Sequence, residues 1–140
     1  MVKKSTDDLL TELQGQKPLD EFITENQDVF YSEKLAEILC QLVEDKGTTK
    51  YEVIKRAELT EVYGYQIFSG KRLPSRDKLI CLCIGLGLTV DETQQLLKRA
   101  GMAPLYAKLK RDSIILYGIG HGQGVAEINE RLYGEGKTTL

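Results

Sequence analysis

Apolar residues recur at helical spacing through most of this chain, and local helix-start and helix-stop residues separate the repeats. Behind Ser32, which is a plausible N-cap, apolar side chains repeat every three or four residues, and Gly47 follows them. This pattern predicts a first long helix that ends at Gly47. Its apolar positions are Leu35, Ile38, Leu39, Leu42 and Val43.

Two short helices and two longer ones are predicted next. Thr48 or Thr49 caps "KYEVIKRA", and "TEVYGYQIFS" follows after a very short turn and ends at Gly70. "LPSRDKLICLCIGLGL" starts at a Pro-Ser pair and is apolar almost all round, which predicts a buried central helix. "TVDETQQLLKRAG" has a Thr cap, acids in its first turn, bases in its last turn and a terminal Gly.

The two ends of the chain predict further helices. "TDDLLTEL" and "PLDEFITENQ" read as short polar helices with too few apolar positions to be stable unless they dock. The last third reads as a short apolar segment, a glycine-rich turn and an amphipathic helix. We therefore expect an all-α protein with an acidic N-terminal extension (1–31), a five-helix domain (32–103) and a C-terminal extension (104–140) that packs on the core or forms a dimer.

Composition limits the class of protein. Of 140 residues, 41% are hydrophobic and 29% are charged, and no apolar run has the length of a membrane span or of a signal-peptide core. A cytoplasmic protein is expected. The three cysteines lack the paired spacing of a zinc site, so we expect buried free thiols and neither metal nor cofactor.

Charge is unevenly distributed, although the formal net charge is only −2. Residues 1–31 hold three Lys and seven acids, whereas residues 48–80 hold seven Lys or Arg and four acids. Any nucleic acid would therefore bind to the second segment.

The second and third helices of the five, with their tight turn, resemble the helix-turn-helix of lambda-repressor-like domains. The resemblance covers about half the chain, and "FSGKRLPS" is its most specific part. Two positions depart from the family pattern: Glu58 stands where Gly is common, and Gly64 stands where an aliphatic residue is usual. The residues that fall in the slots of the family pattern, with these two departures among them, are Ile54, Glu58, Leu59, Gly64, Ile67, Gly70, Lys71, Arg72, Pro74 and Ser75.

These departures have structural consequences. Glu58 implies a turn that either avoids a left-handed backbone conformation or is strained by adopting one. Gly64 implies a close approach of the third helix to its neighbour, with the flanking tyrosines available to fill space. A wider resemblance covers nearly the whole chain: the order of segments is similar to that of Cro-type bacterial regulators common in Firmicutes. It implies a transcriptional regulator without enzymatic activity, here expected to be a repressor.

If Thr60–Ser69 is the recognition helix, five of its side chains are candidates for base contact in the major groove. Gln66 suits adenine, Glu61 suits the cytosine amino group, and Val62 or a tyrosine ring suits a thymine methyl. The tyrosines could equally contact phosphate or only pack, and Glu61 could be merely a helix-start acid. The five candidates are Glu61, Val62, Tyr63, Tyr65 and Gln66.

Residues flanking that helix are expected to contact the phosphate backbone of double-stranded DNA. Because one such domain reads few base pairs, we also expect a homodimer on two half-sites. Its interface would come from the N-terminal helices or from Ile114, Ile115, Leu116, Ile128 and Leu132. The phosphate candidates are Thr49, Lys50, Ser69, Lys71, Arg72, Ser75 and Arg76.

Alternative interpretations remain at three places. "SIILYGIGHGQGVAEINERL" has the order of a dinucleotide-binding strand, loop and helix, but its glycine spacing fails, and two helices joined by a glycine turn fit better. His121, the only histidine, is expected to be a turn residue or else a pH-sensitive contact. Finally, the helix-turn-helix could serve as a protein-interaction or inhibitory module, because Tyr63, Tyr65 and Phe68 beside Arg72 have the composition of an interface.

Overall fold

This computed structural model describes residues 6–15, 18–21 and 31–140. Eight helices with defined ends lie in this part of the chain. Residues 19–21 are also helical, and no strand occurs among the described residues, so the all-α prediction is confirmed. The helices are α1 (Thr6–Gln14), α2 (Tyr31–Asp45), α3 (Lys50–Arg56), α4 (Glu61–Phe68), α5 (Arg76–Gly85), α6 (Val90–Arg99), α7 (Lys110–Gly120) and α8 (Val125–Gly134).

Side-chain caps start four of these helices at residues named from the sequence. The hydroxyl of each cap accepts a hydrogen bond from the backbone N–H three residues later. Glu92 completes the strongest cap, because its carboxylate accepts from the cap N–H at 3.0 Å and from Lys46 at 3.1 Å. These bonds hold the pKa of Glu92 below its usual value. α2 begins at Tyr31, so Ser32 lies inside it and is not its cap. The four caps are Thr49, Thr60, Ser75 and Thr89.

Four helix pairs are joined by turns of the same design. In each turn a residue with positive φ lies two residues after one helix ends and two residues before the N-cap of the next. Three of these residues are Gly47, Gly87 and Gly122, and the fourth is Glu58, with φ of 57°. The turn between α3 and α4 therefore adopts the left-handed conformation, and of the two possibilities at Glu58 the strained one is realised.

Replacing Glu58 with Gly is expected to stabilise the protein by about 0.5–1 kcal/mol, because Gly adopts positive φ without the Cβ clash. Glu58 is exposed, so little packing is lost. Urea unfolding measures the change. Glu58→Ala is the control, since it removes the same charge but keeps the Cβ. If Ala stabilises as much as Gly, the gain comes from charge and the backbone explanation is wrong.

The hydrophobic core is centred on α5, as its apolar sequence predicts. Leu79 to Cys83 are all buried, and α5 packs against α3, α6 and α8. Burial raises the pKa of Cys81 to about 11 and that of Cys83 to about 12. All three cysteines are free thiols, but Cys40 is only half-buried, so the prediction of burial is wrong for that residue.

The C-terminal helices α7 and α8 belong to the same core. Ile115, Ile128 and Leu132 are fully buried in it, and Ile114 and Leu116 are half-buried against it. Of the two roles expected for the extension, packing on the core is the one observed. These three side chains are therefore not exposed on the surface of the protomer, and dimerisation through the extension stays a prediction.

The glycine-rich segment of the extension forms the end of one helix, a turn and the start of the next helix. Gly118 and Gly120 lie within α7, and Gly122 forms the turn to α8 with φ of 70°. Gly124 is the N-cap of α8, so two helices joined by a glycine turn are confirmed. His121 ends α7, where its ring stacks on Tyr117 with centroids 3.8 Å apart.

At the N-terminus, α1 confirms the first predicted polar helix and has no buried residue. Leu10 and Leu13 are each 49% exposed. Most of "PLDEFITENQ" lies outside the described residues. In the described ranges, no helix has both the length and the apolar character required to cross a membrane.

Candidate nucleic-acid interface

A glycine in α4, Gly64, allows the helices α3 and α4 to pack close together. A Cβ built on Gly64 would lie 2.5 Å from Cγ1 and 2.8 Å from Cγ2 of Ile54, which is itself 1% exposed. Such distances are shorter than any relaxed contact between carbon atoms. Gly64 therefore allows the close approach that the sequence implied, and it joins Ile67 and Phe68 on the buried face of α4.

The opposite face of α4 is exposed. Val62 is 70% exposed and Tyr65 43% exposed, so no described part of the chain covers this face. It forms a shallow groove with the start of α3 and the loop after α4. Four of the five base-contact candidates and three phosphate candidates meet there. The groove is lined by Lys50, Glu61, Val62, Tyr65, Gln66, Phe68, Ser69 and Lys71.

The fifth base candidate, Tyr63, is placed apart from this groove. It is half-buried against the hydrophobic core. The guanidinium carbon of Arg72 lies 5.5 Å from its ring centroid, which is within range of a cation–π interaction. Tyr63 therefore packs against the core and orients the guanidinium of Arg72, whereas Tyr65 faces outward.

Three basic residues around the groove carry charges that no described acidic side chain neutralises in an ion pair. Lys50, Lys71 and Arg72 are exposed, and none forms an ion pair with a described residue. The ammonium of Lys50 lies 6.0 Å from the centroid of the Phe68 ring. Against these three cations the groove contains one acid, Glu61. The local charge is therefore positive, in contrast to the net charge of the chain.

The remaining phosphate candidates have structural partners. Thr49 and Ser75 use their hydroxyls as N-caps, and the Ser69 hydroxyl donates to the carbonyl of Gln66 at 3.1 Å. All three residues are still exposed. The hydroxyls of Thr49 and Ser75 accept in their caps and can still donate to a phosphate oxygen, whereas the single O–H of Ser69 is already used by the carbonyl of Gln66.

Arg76, by contrast, is engaged by the C-terminal extension. Its guanidinium donates to the carbonyl oxygens of Ala103 at 2.8 Å and Pro104 at 3.1 Å, and to buried Asp112 at 3.1 Å. Next to it, Arg111 makes two hydrogen bonds, of 3.1 and 3.0 Å, to Asp77. The start of α5 is thereby fastened to the extension, and Arg76 has a structural role in this conformation.

Sequence reasoning missed the double role of Phe68. Its side chain is 3% exposed and belongs to the core, yet its ring also lines the groove and lies under Lys50. Its spacing from Tyr65, three residues along one helix, was the available signal. The partners of Arg76 had no such signal, because they lie 27 to 36 residues away.

Comparison with protein-family models, curated proteins and solved structures gives no match to this chain.

Proposed function

We propose that this protein is a sequence-specific regulator of transcription that binds double-stranded DNA in the cytoplasm and acts as a repressor, without catalytic activity. In this proposal residues 32–103 form a lambda-repressor-like domain, and α4 enters the major groove. The observation that carries the proposal is the exposed face of α4, where side chains chemically suited to base contact lie beside Lys50 and Lys71.

The positions of the polar, apolar and cationic groups on this surface fit those of the bases and phosphates of DNA. The residues of α4 present an amide, a carboxylate and apolar groups, which are the groups that distinguish base edges. The cations come from the segments that flank α4, where phosphates would lie. Since each neutralised phosphate releases counterions, binding is expected to weaken steeply as the salt concentration rises.

A homodimer on two half-sites is part of the proposal, because a single α4 contacts only a few base pairs. Its interface must use side chains that remain exposed in the protomer. On α7 and α8 these include Tyr117, which is 60% exposed, and Tyr133, which is 80% exposed.

A second candidate is a protein-interaction module, favoured by the exposure of Val62 and Tyr65 on one helix face. The two functions differ in what the groove would select. A protein-binding groove would show no preference among DNA sequences, whereas a major-groove reader would.

Selection of genomic fragments by the full chain at low salt is expected to enrich related half-sites spaced about one helical turn apart. Gln66→Ala should shift the preferred sequence, because the amide is assigned to a base edge. Gln95→Ala, an exposed amide on α6, should leave the preference unchanged. If the selection enriches no sequence at all, the DNA-binding proposal must be abandoned.

A further inference from the structure

The outward face of α4 combines exposed apolar surface with a complete lack of cationic side chains. Its eight residues, "EVYGYQIF", contain no Lys or Arg. We infer that the half-site is recognised through thymine methyl groups and adenine edges, and that guanine is disfavoured where α4 contacts the bases. This inference rests on the proposed function and specifies its target.

The apolar part of the groove matches one chemical group of DNA. Val62 is 70% exposed, and Tyr65 lies three residues further along the same helix face. In the major groove the only apolar group on the four base edges is the 5-methyl of thymine. Contact with that methyl would remove the side chain of Val62 from water.

Glu61, the only acid of the groove, disfavours guanine as its direct partner. Guanine presents only acceptors, N7 and O6, to the major groove. The carboxylate of Glu61 is also an acceptor when ionised, so the two would repel, whereas the amino groups of adenine and cytosine can donate to it. Gln66, which lines the same groove, can make two hydrogen bonds to adenine. Lys50 and Lys71 belong to the flanking segments, where phosphates are expected.

The test uses the half-site enriched by the full chain and replaces its thymines one at a time with uracil, which differs only by the missing methyl. Fluorescence anisotropy is expected to show about a fourfold loss of affinity at one or two positions, the effect of uncovering one methyl-sized group. Val62→Ala should abolish the loss at the position that Val62 contacts. Leu109→Ala, which shortens a side chain that is 54% exposed and does not line the groove, should retain it.

The outcomes separate the inference from the function. Tight, sequence-selective binding that is insensitive to every uracil would overturn the thymine assignment and leave the DNA-binding function standing. A uracil loss that persists in full in Val62→Ala would overturn the role of Val62. Failure to bind any duplex would overturn both the inference and the proposed function.

Discussion

Replacing Lys71 and Arg72 together with Ala is expected to lower the affinity for every DNA duplex by roughly 50-fold at 0.1 M salt. Both residues lie in the loop after α4, are exposed and have no ion-pair partner among the described residues. Each would neutralise one phosphate, so the slope of log K against log salt should become shallower by about 2. The sequence preference should not change, because the proposal assigns these side chains to phosphates and not to bases.

Titrations at several salt concentrations measure this effect, and the Lys98→Ala, Arg99→Ala double variant provides the control. That pair is also adjacent, basic and exposed, but it ends α6 and does not line the groove. It changes the net charge equally and should have a much smaller effect on affinity and slope. Equal effects of the two pairs would mean that overall charge, and not this surface, controls binding. Because Arg72 also stacks on Tyr63, urea unfolding of both variants should accompany the titrations.

Gly64→Ala is expected to destabilise the protein by about 1–3 kcal/mol, the range of overpacked cores. The new Cβ would overlap Ile54, which cannot retreat because it is fully buried between helices. Relief by moving α4 would displace the reading face, so DNA binding should weaken as well. Urea unfolding and anisotropy measure the two effects.

Gly134→Ala provides the matched control, because it places the same methyl on a helical glycine that has nothing within 4 Å. There the better helix propensity of Ala should stabilise the protein by up to about 1 kcal/mol. Ile54→Ala tests the contact itself: its cost should be smaller in the Gly64→Ala background, since the new methyl fills part of the cavity. If the losses in the free energy of unfolding of the two single variants simply add in the double variant, a direct clash between residues 54 and 64 is contradicted.

Local signals in the sequence were sufficient for most helix starts and for most of the orientation of α4, but not for Ser32, which lies inside α2, or for Tyr63, which is half-buried. Thr49, Thr60, Ser75 and Thr89 bond to backbone groups three residues away, so each cap is readable from a short window. The burial of α5 follows from its apolar composition. The 3.6-residue period placed Gly64 inward and Val62 and Tyr65 outward, as observed.

The sequence by itself thus determined the helical class, most of the helix ends and the exposure of Val62 and Tyr65 on α4, because these depend on contacts within one or two turns. Only the tertiary structure decided that Arg76 binds Asp112, that Tyr63 lies beneath Arg72, and that the apolar tail fills the core. The first and last of these depend on residues far apart in the chain. Such pairs are set by how the helices pack in space, and no local period of polar and apolar residues contains that information.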